Sequence, residues 1–147
     1  MVPSPDKARQ YAEAFVGTAR EVYARELDFS LDSLARVDEI VESLRSGGRG
    51  AAANRLTLSA AACYVGEVMI RAAGGQWVAD PENGAAKVRA GSVSAVPWNK
   101  VIKRLEDGPC DALHPYGVAF VEHARRAAAA PGPRSGLIAR LRGWFGG

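Results

Sequence analysis

Apolar residues in the first half of the chain recur at three- and four-residue steps. Ala8, Tyr11, Ala12, Phe15, Ala19, Val22 and Tyr23 fall on one face of a helix of about five turns. Ser4, Pro5 and Asp6 open it with a capping side chain, a first-turn proline and an acid at the positive end of the dipole. It is expected to close near residues 26–28. Leu34, Val37, Ile40, Val41 and Leu44 repeat the pattern behind a cap at Ser30 or Asp32. In the third helix, from residue 52 or 57 to 73, Leu58, Ala62, Val65, Met69 and Ala73 share a face with Gly66 and Ile70 beside it. A face that broad predicts a central helix touched on more than one side.

The period then changes from helical to alternating. Gly74 and Gly75 stop the third helix, Gln76–Ala79 reads as a strand, and Asn83-Gly84 supplies turn residues. Ala86–Ala90 and residues 93–96 alternate apolar and polar side chains, the mark of half-buried strands. Such a sheet needs helices beneath it, and Trp77 is its expected anchor. A fourth helix over residues 100–107 turns Val101, Ile102 and Leu105 inward and Lys100, Lys103 and Arg104 outward as a basic cluster. Asp111 is expected to cap a fifth, with Leu113, Tyr116, Phe120, Val121 and Ala124 buried. The predicted fold class is α+β: four to five helices packed on a small two- or three-stranded antiparallel sheet. Residues 1–129 form a single domain, and residues 130–147 a Pro/Gly linker followed by a short basic amphipathic helix.

Composition narrows the classes of function. The 147 residues are 48% hydrophobic and 24% charged, the balance of a folded soluble domain. The net charge of +3 is uneven, because residues 1–129 hold 16 basic and 16 acidic side chains. The excess is Arg134, Arg140 and Arg142 in the tail. A neutral body lacks the clustered cations that nucleic acid requires, so no nucleic-acid partner is expected. Two cysteines, Cys63 and Cys110, make no disulfide framework. His114 and His123 have no His or Cys at ligand spacing, so neither metal nor cofactor is expected. Residues 46–50 form a Gly-rich loop, but Ala51 and Ala52 stand where a phosphate-binding loop needs Lys and Ser or Thr. No run reaches the roughly 18 apolar residues of a membrane span, and a bacterial cytoplasmic protein is the expectation.

Two places carry unspent chemistry. Glu67 pairs with Arg71 at (i, i+4), which reads as an ordinary surface pair or as a carboxylate at a groove rim. In the tail, Leu137, Ile138, Leu141, Trp144 and Phe145 follow helical spacing beside the three arginines. That pattern fits a helix packed on the body or a weak contact with an anionic membrane surface.

Tyr64-Val65-Gly66-Glu67, then Gly74-Gly75-Gln76-Trp77, then Pro97 and the basic stretch from Lys100 to Gly108 together resemble a pattern in small bacterial proteins grouped as domains of unknown function. The resemblance covers about residues 55–125. It implies an α+β fold and carries over no catalytic residues. Function is therefore read from the residues. With no nucleophile–base motif, the leading expectation is a non-enzymatic interaction protein: an adaptor, a chaperone-like partner or an immunity-type inhibitor. Its partner is expected to be another protein. The alternatives are a small enzyme assembled around Glu67, with Lys100, His114 or Cys110, and a peripheral membrane protein using the tail.

Overall fold

The computed structural model describes residues 3–129. The tail expected over 130–147, with Arg134, Leu137, Ile138, Arg140, Leu141, Arg142, Trp144 and Phe145, lies outside the described residues. The elements run α1 (Pro5–Tyr23), α2 (Leu34–Ser46), α3 (Gly50–Ala53), α4 (Arg55–Ala73), β1 (Gln76–Ala79), β2 (Ala86–Ala90), β3 (Val93–Ala95), α5 (Pro97–Asp107) and α6 (Leu113–Ala129). Short 3-10 turns at Leu31–Ser33 and Pro109–Asp111 precede α2 and α6. The fold is α+β, with the helices gathered on one face of a three-stranded antiparallel sheet of order β1-β2-β3.

The central helix is α4. Its residues 61–69 are all buried, and it packs against α1, α5, α6 and the sheet. By length and composition alone α4 could cross a membrane, contrary to the expectation that no run is long and apolar enough, but 61% of that apolar stretch is buried within the fold. A core helix of a soluble domain meets the same test. Tyr64, fully buried at its middle, accepts a hydrogen bond from the Phe29 amide (2.8 Å) and shares one with Ser33 Oγ (2.7 Å). Phe29 sits at φ 63°, so the Tyr64 hydroxyl holds a left-handed turn that a phenylalanine seldom adopts.

The sheet pairs Trp77 with Val88 and Val88 with Ala95 on its inner face. Gln76, Arg89 and Ser94 align on the outer one. Trp77 is half-buried and packs against Gly66, where a Cβ would overlap its ring. That close approach is what the glycine permits.

Three expectations are corrected. Helix α1 ends at Tyr23, before residues 26–28, because Ala24 takes φ 55° and the Arg25 amide returns to the Ala19 carbonyl at 3.0 Å. This is a left-handed cap without its usual glycine, and it leaves Val22 67% exposed. Asp111 does not cap α6. Asp38 of α2 does, accepting from the amides of Leu113 (2.7 Å) and His114 (3.1 Å). Arg104 is not on the outer side of α5. It is 4% exposed, with Nε on Asp38 Oδ1 (3.1 Å) and Nη1 on Glu42 Oε1 (2.9 Å). Asp38 thus ties α2, α5 and α6 together through one carboxylate.

Candidate functional site

Asp38 holds Arg104 of α5 and the first amides of α6 through one carboxylate, and so ties the two helices together from beneath. Gly108, at φ 87°, reverses the chain between them, a conformation open to few other residues. The two helices and the turn Pro109–Asp111 enclose an open cleft of about 540 Å³. Val96, Pro109, Ala112, Pro115 and Ala119 give it an apolar side, and Asn99, Lys100, Lys103, Cys110, Asp111 and Tyr116 its polar groups. Its volume lies in the range of about 300–1,000 Å³ that small ligands and peptide side chains occupy.

Inside the cleft Lys100 is already engaged. Its Nζ lies 3.0 Å from Asp111 Oδ1 and 5.5 Å from the centre of the Tyr116 ring. The hydrogen bond from Lys100 holds Asp111 below its ordinary carboxylate range, so the Asp111 carboxylate stays charged at neutral pH opposite the Lys100 amine. Burial pushes the Tyr116 phenol above its ordinary range, which keeps it neutral. Lys103 and the Asn99 side chain are different. They sit one helical turn apart on the cleft face of α5, and among the described residues neither has a hydrogen bond or ion pair.

Cys110 is exposed at the cleft wall, its thiol donating to the Asp107 carbonyl at 3.4 Å and lying 3.8 Å from Asp111 Oδ2. No histidine is among the lining residues, so Cys110 has no Cys–His partner of the kind that activates a nucleophile. Cys63 is buried on α4, where desolvation pushes its thiol up to about 12.

Of the described residues singled out from sequence, the structure brings Lys100, Lys103 and Cys110 to one cleft and takes Arg104, His114 and Glu67 elsewhere. Arg104 belongs to the buried Asp38 network. His114 faces Asp32 at 3.6 Å, away from the cleft lining. Glu67 is neither a surface pair nor a groove rim. It is 6% exposed, accepts the Trp77 indole N–H at 3.1 Å and meets Arg71 Nε at 3.4 Å. Arg71 in turn stacks 3.8 Å over the Phe29 ring, so these groups brace β1 and the loop after α1 against α4. Asn99 and Tyr116 were not picked out from sequence. The one local signal for Asn99 is its (i, i+4) spacing to Lys103.

Among the described residues no group of three or more His, Cys, Asp or Glu side chains could hold a metal ion. Compared with protein-family models, with curated proteins and with solved structures, the chain finds no match in any of the three.

Proposed function

We propose that this protein is a non-enzymatic interaction module that receives part of another protein in the cleft between α5 and α6. One observation carries the reading: the cleft joins an apolar wall to two polar side chains, Asn99 and Lys103, that have no partner among the described residues. Binding sites combine those two features, a desolvating surface and a few placed polar groups. The groups a catalyst would need are committed elsewhere. Glu67 holds Trp77, Asp111 holds Lys100, and Cys110 lacks a base. Adaptor, chaperone-like and inhibitor roles all share this surface. In this reading the protein works in the cytoplasm, and the segment 134–145 adds a second contact, to the same partner or to an anionic membrane surface.

The test places a photo-cross-linking side chain at Pro115, an exposed residue of the cleft wall, and separately at Arg9 on α1, in cells that carry the native chain. Arg9 is exposed and is not among the cleft-lining residues. The proposal expects a discrete protein adduct from position 115 and none of that size from position 9. The same adducts from both positions, or none from 115, would contradict it.

A further inference from the structure

We infer that the group admitted to the cleft is a carboxylate with an apolar neighbour, carried by an acidic segment of the partner, and that Asn99 and Lys103 read it. The inference rests on the α5–α6 cleft being the docking site.

Charge supplies the first argument. The lining holds Lys100, Lys103 and Asp111, and the ion pair at 3.0 Å cancels two of them. Lys103 is left as the cation without a partner among the described residues. Asp107 follows it by one turn, exposed at the end of α5 and outside the lining. Lys103 thus gives the cleft a positive side whose complement is one negative charge.

Donor geometry gives the second. A carboxylate accepts through two oxygens. An amide N–H and an ammonium on successive turns of one helix present two donors to one such group, at the Cβ spacing of about 5–6 Å that (i, i+4) residues share. Charge-assisted hydrogen bonds of this kind are the stronger ones.

The lining also favours a carboxylate over a phosphate. A phosphate dianion is met by arginine forks, by several cations or by the free amides of a helix N-terminus. Among the described residues no arginine lines the cleft. Helix α6 begins at its wall, but the Leu113 and His114 amides are already bound by Asp38. One free cation and one amide suit a single negative charge.

The remaining half of the cleft decides the rest of the ligand. Pro109, Pro115, Ala112 and Ala119 offer no hydrogen-bonding side chain, so what lies on them is apolar. A cleft of about 540 Å³ is roomier than one carboxylate side chain needs. Both points call for a peptide in which an acidic residue stands beside an aliphatic or aromatic one.

The experiment is an amide-resolved NMR titration of the full chain with acetyl-Leu-Glu-Leu-amide, with acetyl-Leu-Gln-Leu-amide, with glutarate and with inorganic phosphate. The Glu peptide should give saturable shifts at the Asn99 side-chain amide and along the cleft faces of α5 and α6. The Gln peptide should bind about fivefold more weakly, the factor expected for one partly exposed charge pair. Lys103→Gln should weaken the Glu peptide by the same factor and Lys103→Arg should restore it, while the spectra of both variants stay folded, since Lys103 is exposed. Equal binding of the Glu and Gln peptides, no saturable shift in the cleft, or a Lys103→Gln variant that binds normally would overturn the inference. So would tighter binding of phosphate, or glutarate binding as tightly as the peptide, which would make the ligand a free anion. A partner cross-linked at position 115 together with peptides that fail to bind would sink this inference and leave the docking site standing. Failure of both would remove the site.

Discussion

Substituting Gly66 with alanine adds one methyl group where Trp77 has left no room for it. The new Cβ would overlap Trp77 Cη2 and come to 2.5 Å of Cζ2 and 2.9 Å of Cζ3. Ordinary carbon contacts need about 3.5–4.0 Å, so the indole must retreat or α4 must shift. Overpacking of this kind costs about 1–3 kcal/mol. Retreat also stretches the 3.1 Å hydrogen bond from Trp77 Nε1 to the buried Glu67 carboxylate, a loss of about 1–3 kcal/mol. Against this, alanine is favoured over glycine within a helix by about 1 kcal/mol. The balance is a net destabilisation of about 3 kcal/mol, a large part of the 5–15 kcal/mol usual for a domain. In a chain of this length that lowers Tm by roughly 6–12 °C. Urea and thermal unfolding followed by circular dichroism would measure it. In a Trp77→Leu background the same substitution should cost far less, because its obstacle is gone. If Gly66→Ala were as stable as the parent, or more stable through helix propensity alone, Trp77 would not rest on Gly66 and the packing of β1 on α4 would be wrong.

Three further outcomes follow from the same contacts. Arg104→Ala leaves Asp38 and Glu42 without their cation in a site where Arg104 is 4% exposed; a loss of about 3–5 kcal/mol is expected in a urea melt, and a loss below about 1 kcal/mol, the level of a surface pair, would place Arg104 in solvent. Lys100 holds Asp111 below its ordinary 3.8, and a carboxyl depressed in the folded state stabilises the fold above its unfolded pKa and loses that contribution as pH falls through the folded value. Stability measured from pH 6 down to pH 2 should therefore fall less steeply below about pH 4 for Asp111→Asn than for the parent, with Asp28 and Glu42, also depressed, contributing the slope that remains. A chain ending at Ala129 should melt cooperatively like the full-length protein, because one core cluster joins the long helices and the sheet among the described residues; an insoluble or non-cooperative fragment would assign Leu137 to Phe145 to that core.

Periodicity made most of the fold legible, because α1, α2, α5 and α6 and the strands β2 and β3 each bury a face at their own spacing. Chain reversals and long-range partners were less visible. Helix α1 was read too long because Ala24 makes a left-handed cap that is ordinarily left to glycine. Arg104 was placed outside with Lys100 and Lys103 because a charged residue is assumed to face water. Its partners Asp38 and Glu42 lie 66 and 62 residues away, beyond any local pattern. The same carboxylate displaced Asp111 as the cap of α6, since a local capping rule cannot see an acid delivered from another helix. Asp111, released from capping, became the partner of Lys100. The cleft was half legible. Lys100, Lys103 and Cys110 could be named from sequence, but its shape comes from three elements meeting, and Asn99 and Tyr116 gain their meaning only there. Glu67, which sequence offered as a surface pair or a groove-rim carboxylate, was drawn inside by an indole ten residues later.

The central claim, that a protein partner occupies the α5–α6 cleft, can be read through its own thiol. Cys110 is exposed in the cleft wall, while Cys63 is buried with its thiol pushed up to about 12, so a neutral maleimide should label one cysteine and spare the other. The rate of Cys110 labelling is measured in whole extract of the native cells and in the same extract filtered to remove macromolecules. The account predicts slower labelling in whole extract, with full speed restored by filtration or by Lys103→Glu, which reverses the charge that receives the partner. Equal rates in the two extracts would show that no protein covers the cleft, and would contradict the account.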